Sequence, residues 1–233
     1  MNEEHDNAQG ADQVLVEQQV LARLASHPCE FIANIVSENI PGGALRFVVE
    51  DNQTQQLTIE MLPMPPATAR MVVLPLCRAL GHLHELGIMH RDVKPENVLV
   101  SADGQAKLTG FTFTSMQPTA FSLVGTPEFM APETIRADPY TVTVDWWALG
   151  CLTSELLTGT TPFNRAGPDV PTLLRMILWD PITVPSHPHV GPLERDFIMA
   201  LLQRNPSARL GGQGHTAVLA HPWFLPTTVG VGN

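Results

Sequence analysis

An α+β fold is predicted for this 233-residue chain from the order of its hydrophobic patterns. Short apolar, β-branched runs bounded by Pro-Gly-Gly and Asp-Gly turns lie before residue 110. From Thr143 onward the periodicity is helical, interrupted only by proline-rich stretches at 161–171 and 181–192. At 44% hydrophobic residues, the chain is long enough to bury one substantial core. Strands early and helices late give α+β, and the pattern alone takes the fold no further.

Residues 1–13 are rich in Glu, Asp, Asn and Gln and are expected to be a disordered acidic tail. Val14, Leu15, Leu21 and Leu24 recur at helical spacing, predicting a helix over 14–26 that ends near His27-Pro28. Phe31–Ile40 and Leu45–Glu50, separated by Pro41-Gly42-Gly43, are predicted strands. Thr54–Leu62 is read as a short helix and Ala67–Leu86 as a longer one stopped by Gly87. Pro75 falls inside that longer helix, where proline costs about 3 kcal/mol or bends the axis. Val98–Val100 and Gln105–Thr109, flanking Ala102-Asp103-Gly104, predict a strand–turn–strand unit. Residues 226–233 are a short tail.

A formal net charge of −10 argues against a nucleic-acid or acidic-membrane surface. There are eleven arginines but only two lysines, Lys94 and Lys107. Cys29, Cys77 and Cys151 are odd in number and far apart, which suits reduced thiols in the cytoplasm or nucleus. No apolar run reaches the roughly 18 residues of a membrane span, and the acidic start is unlike a signal peptide.

The segment His90-Arg91-Asp92-Val93-Lys94-Pro95-Glu96-Asn97 concentrates the chemistry. It offers a carboxylate to accept a hydroxyl proton, a lysine to neutralise phosphate and an amide to ligate a metal. All three lie on a loop between a predicted helix and a predicted strand. Downstream come Gly125-Thr126-Pro127-Glu128-Phe129-Met130-Ala131-Pro132-Glu133 and Asp145-Trp146-Trp147-Ala148-Leu149-Gly150. Then follow Arg204-Asn205-Pro206, Arg209-Leu210-Gly211 and His221-Pro222-Trp223-Phe224.

Taken in order, these segments resemble the catalytic loop, activation segment, central helix and closing helices of the protein kinases. The likeness covers 14–225 and is nearest the AGC group, in its ribosomal S6 and mitogen- and stress-activated kinase branch. It implies a protein-kinase-like fold with a mostly helical large lobe over 53–225. A truncated small lobe, one helix and two strands, would occupy 14–52.

The resemblance also implies roles. Asp92 is the catalytic base, Lys94 the phosphate-contacting lysine and Asn97 a metal ligand. Arg91 grips the activation segment, Ser122 stands where the AGC group carries its activating phosphate, and Thr126 braces the catalytic loop. Glu96 and Glu155 match acidic positions that read a basic peptide, although ordinary solvated carboxylates explain them equally well. Glu133 and Arg209 form a buried pair, Asp145 holds the catalytic-loop backbone, and Leu21, Ile35, His90 and Phe111 stack in a spine. Glu17 corresponds to the glutamate that pairs with the family's nucleotide-binding lysine.

The pattern also breaks. Where the family carries Asp-Phe-Gly, this chain has Gly110-Phe111-Thr112, which keeps the aromatic and removes a magnesium ligand. The lysine partner of Glu17 is expected at or before Met1, and no lysine precedes Lys94. Residues 1–89 hold no G-x-G-x-x-G arrangement. ATP and magnesium binding are therefore expected to be weakened, with at most Asn97 as a metal ligand.

The implied function is a pseudokinase that binds other proteins, whether another kinase, an activating kinase or a basic substrate peptide. Apolar surface near Leu21, Ile35 and Leu99 would add to that binding. The alternatives are a weak serine/threonine kinase acting on basic substrates, and a truncated product without a role. A histidine metal site is not expected: His82 and His84 are two apart on a helix, and His187 and His189 have no cysteine nearby. The Gly211–Gly214 run follows no strand and is no phosphate cradle.

Overall fold

The computed structural model describes residues 3–33, 48–49, 58–59, 63–100, 105–163 and 167–225. Helix α1 spans Glu3–Ser26. The predicted helix is present, and residues 3–13, expected to be disordered, form its first turns. Its inner face is Val16, Val20 and Leu24, one residue per turn, while Val14 and Leu15 are 56% and 55% exposed. Beyond α1, Ala33 N–H donates to Leu108 O and Leu108 N–H to Phe31 O, tying the helix to the sheet of the large lobe. The rest of the predicted Phe31–Ile40 strand, Ile35 included, lies outside the described residues.

Strands β1 (Val48–Val49) and β2 (Thr58–Ile59) pair antiparallel, so the helix predicted over Thr54–Leu62 is corrected to a strand at its described positions. Thr58 and Ile59 are both β-branched, a local preference that a helical reading of the longer segment overlooks. Strands β3 (Val98–Val100) and β4 (Ala106–Leu108) pair in the register Val98–Leu108 and Val100–Ala106, as the pattern predicts. Their connecting turn at 101–104 lies outside the described residues.

Helix α2 (Pro66–Glu85) begins with proline at its first position, where no N–H is needed. It continues through Pro75. The residue four back, Met71, is 65% exposed, so the carbonyl that loses its partner lies on the solvent side of the helix. The helix stops as predicted at Gly87, whose φ is +70°. Gly87 N–H donates to His84 O and Ile88 N–H to Leu83 O, closing the end and turning the chain into the 88–97 loop.

Short helix α3 (Pro132–Ile135) precedes α4 (Thr143–Thr158). Helix α4 is buried on almost every side, the signature of a central core helix. It packs on α2 and on α6 (Pro192–Leu201), close enough at Gly150 that a Cβ there would approach Leu201 Cβ at 3.0 Å. Helices α5 (Val170–Trp179) and α7 (His215–Leu219) complete the lobe, α7 lying against α2. Cys77 on α2 and Cys151 on α4 are fully buried, and burial pushes both thiols above their usual range. No helix among the described residues is long and apolar enough to cross a membrane.

One ion pair pins this architecture together. Arg209 meets Glu133 in a two-pronged contact, Nη1 to Oε1 at 2.6 Å and Nη2 to Oε2 at 3.0 Å, with both residues 2% exposed. Arg209 also donates to Thr143 O and Gln203 O and lies 5.2 Å from the centre of the Trp147 ring. Removing one partner leaves the other charge buried and uncompensated. Glu133→Ala is therefore expected to cost about 3–5 kcal/mol in urea unfolding; a cost below about 1 kcal/mol would show that the pair does not hold the lobe together.

Candidate active site

The loop between α2 and β3 carries the predicted site residues, and its backbone is held from beneath. Asp145, in the first turn of α4, is fully buried. Its Oδ2 accepts His90 N–H at 2.9 Å and its Oδ1 accepts Arg91 N–H at 2.7 Å. His84 Nε2 lies 2.8 Å from the same carboxylate. Burial alone would raise the Asp145 carboxyl; the His84 hydrogen bond and charge, helped by the Arg91 N–H, outweigh it and hold the group below 3.8. Arg91 stands at φ +68°, a left-handed conformation costing a non-glycine residue about 1–3 kcal/mol, and the two bonds to Asp145 stabilise it there.

His90 is wholly buried, with Nε2–H donating to Thr109 O at 2.8 Å and Nδ1 accepting Asp92 N–H at 3.3 Å. Its edge meets the buried Phe111 ring at 5.5 Å. Of the predicted spine, this pair is in contact, and Leu21 packs against the same core.

The Arg91 side chain ties the activation segment together. Nε donates to Phe113 O, Nη2 to Thr114 O, and Nη1 to both Ser122 Oγ at 2.8 Å and Tyr140 OH at 3.2 Å. Tyr140 in turn donates to Ser122 O at 2.7 Å. Ser122 is exposed, between two exposed apolar neighbours, Phe121 and Leu123. Gly125, at φ +108°, passes so close to the catalytic loop that a Cβ would sit 2.7 Å from Arg91 O.

Asp92, Lys94, Asn97 and Thr126 converge. Asp92 Oδ2 lies 2.8 Å from Lys94 Nζ and accepts Asn97 Nδ2–H at 2.8 Å. Asp92 Oδ1 accepts Thr126 Oγ1–H at 3.1 Å, and Thr126 Oγ1 accepts from Lys94 Nζ at 2.9 Å. Asn97 also donates to Asp92 O at 2.7 Å. Gly110 adopts φ +83°, its Cα facing the Asn97 amide, and Thr112 O accepts from Gln13 of α1. Glu96 is exposed on the 95–97 turn, Glu155 is half-buried near the end of α4, and Glu17 is half-buried on α1.

Two contributors carry no motif-level signal, Tyr140 and His84. His82 and His84, which invite a metal reading, serve different partners, the His27 carbonyl and Asp145.

Two predictions follow from the buried groups. Asp145→Asn keeps the shape but turns an N–H toward donors, and is expected to cost about 3 kcal/mol or more in urea unfolding. Burial lowers the His90 pKa from 6.5, partly offset by Asp145, so below 6.5 the unfolded chain takes up a proton that the folded one refuses. Stability from this group is present above 6.5 and falls as pH drops toward the lowered folded value. The contribution of Asp145 is lost below 3.8. Melting temperature is expected to drop between about pH 7.5 and about pH 5.5, and a flat profile would contradict the neutral buried His90.

The protein kinase domain family profile matches residues 1–224. Over 160 residues the chain is 38% identical to the serine/threonine protein kinase ypkA of Aspergillus fumigatus, covering 67% of this chain and 25% of that protein. It is 31% identical over 218 residues to a probable cAMP-dependent protein kinase catalytic subunit of Encephalitozoon cuniculi, covering 92% and 66%. It is 41% identical over 157 residues to human ribosomal protein S6 kinase alpha-4, covering 63% and 20%. The matched stretch thus spans a quarter of the first relative, two thirds of the second and a fifth of the third. With the 90–97 loop, the 125–133 segment and the buried Glu133–Arg209 pair beside these matches, the chain belongs to the protein kinase family, in its AGC group.

Proposed function

We propose that this serine/threonine kinase-like lobe works by binding protein partners and does not transfer phosphate at a useful rate. One observation carries the reading: position 110, which faces the catalytic-loop asparagine, is a glycine in an otherwise ordered site. Phosphoryl transfer is catalysed by positioning and by metal ions that neutralise developing charge. A glycine supplies neither carboxylate nor charge, and losing one preorganised electrostatic contact costs about 10²–10³ in rate. The surfaces that hold a peptide need no metal. The activation segment is tied down by Arg91 and Tyr140, and Glu96 and Glu155 supply negative charge on a chain of net charge −10. An arginine-rich peptide, or the basic substrate segment of another kinase, is the partner class that this charge favours.

A second reading, a weak serine/threonine kinase, is favoured by the intact Asp92–Lys94–Thr126 network. The two readings are separated by two measurements on the purified chain. Fluorescence anisotropy with an arginine-rich peptide is expected to give a micromolar Kd that weakens about tenfold in a Glu96→Gln, Glu155→Gln double variant. Phosphate transfer from labelled ATP with magnesium is expected to be no faster than in Asp92→Ala. Absence of micromolar peptide binding sinks the binding role, and transfer abolished by Asp92→Ala establishes the enzyme.

A further inference from the structure

Gly110 and Asn97 are coupled more tightly than the loss of one ligand requires. A Cβ built on Gly110 would stand 2.3 Å from Asn97 Cγ, 2.3 Å from Oδ1 and 2.7 Å from Nδ2. Asn97 is not free to swing aside at no cost, because its amide donates to Asp92 O at 2.7 Å and to Asp92 Oδ2 at 2.8 Å. The other oxygen of Asp92 accepts from Thr126, and Lys94 Nζ balances the carboxylate charge at 2.8 Å. Gly110 itself sits at φ +83° and ψ 56°, a left-handed conformation that L residues adopt at a cost, aspartate at less than most.

The kinase family uses a magnesium–nucleotide group at this point of the fold. Magnesium asks for six oxygens in a near-ideal octahedron, several of them from water, anchored by one or two carboxylates. At this site position 110 offers no carboxylate, and both oxygens of Asp92 are engaged by protein donors. Asn97 fills the space into which a side chain at 110 would project. The residues present do not fit the group.

We propose that Gly110 and Asn97 are a matched pair that closes the divalent-cation site, the asparagine filling the room the glycine leaves. The chain then takes up neither a divalent cation nor a metal–nucleotide complex at this point, and an aspartate at position 110 alone does not reopen it. The inference deepens, and rests on, the reading of a lobe that binds without phosphoryl transfer. It differs from the simple loss of a ligand in what happens on reversion: a site missing only its carboxylate is repaired by Gly110→Asp, and a closed one is not.

The experiment is a thermodynamic cycle with a metal readout. Gly110→Asp, Asn97→Ala and the double variant are unfolded in urea and by heat, and Mn²⁺ is titrated into each, with free Mn²⁺ followed by electron paramagnetic resonance. Gly110→Asp is expected to lower Tm by roughly 5–10 °C and to gain no Mn²⁺ site. The double variant is expected to be more stable than the sum of the single effects allows, because shortening Asn97 makes the room that aspartate needs. Should Gly110→Asp fail to fold, recovery of folding in the double variant carries the same meaning. Additive single effects, a double variant no more stable than Gly110→Asp, or a Mn²⁺ site tighter than about 0.1 mM in the wild-type chain or in Gly110→Asp that disappears with Asn97→Ala would each overturn the closure. Mn²⁺ uptake with peptide binding intact would refute the closure alone. Failure of peptide binding with no Mn²⁺ uptake would refute the binding role alone.

Discussion

A carboxylate with no access to water sits beneath the catalytic loop, and the order of the site runs through it. Asp145 offers its two oxygens to successive main-chain N–H groups, those of His90 and Arg91, while His84 supports it from α2. These bonds stabilise Arg91 in a backbone conformation that its side chain disfavours. From that position the guanidinium reaches Phe113 and Thr114 on one side and Ser122 and Tyr140 on the other. Thus a group in the first turn of α4 determines where the exposed Ser122 lies, although the two never touch. The arrangement is directional: strain in the loop is tolerated because the core helix that carries Asp145 is itself immobilised on α2 and α6.

The large-lobe framework and the chemical site answer to different constraints. Glu133–Arg209 and the Trp147 ring form a buried knot that brings together residues 76 positions apart, and no feature of it depends on nucleotide. Phe111 likewise keeps its buried contact with His90 while its neighbour at 110 is a glycine. A chain under such constraints can keep its buried framework while the residues around position 110 change. Packing is felt to within a methylene, whereas a missing ligand leaves the fold untouched.

What could be read directly from the sequence was whatever depends on short, ordered segments. The 90–97 loop between helix and strand, the β3–β4 pairing and the stop at Gly87 follow from local residue chemistry, and the structure has each of them, whereas the 125–133 segment was legible only through its resemblance to the kinases. Three readings did not carry over. Polar composition predicts disorder before residue 14, yet α1 starts at Glu3, because Glu, Gln and Ala are good helix formers however polar the stretch they sit in. The inner face of α1 uses Val16 and Val20, with Val14 and Leu15 outward, because one-turn spacing fits two phases when apolar residues are adjacent. The 54–62 segment contains β2, whose β-branched Thr58 and Ile59 are outnumbered in a window over the whole segment and whose partner β1 lies outside it at Val48–Val49. Within the site, Tyr140 and His84 join through space, from 18 and 61 residues away, and only coordinates bring them in.

Helix α4 is buried on almost every side, and this shapes how the protein must be made. A helix enclosed on nearly all sides needs each of its neighbours, and one of them, α6, ends at Leu201, 43 residues after α4 ends at Thr158. At typical synthesis rates of about 5–20 residues per second, α4 is without this part of its cover for about 2–9 s. Arg209, which neutralises Glu133, arrives later still. The α6-facing side of α4 therefore stays open until α6 has been made, and a chain truncated between Thr158 and Leu201 is expected to expose it and aggregate.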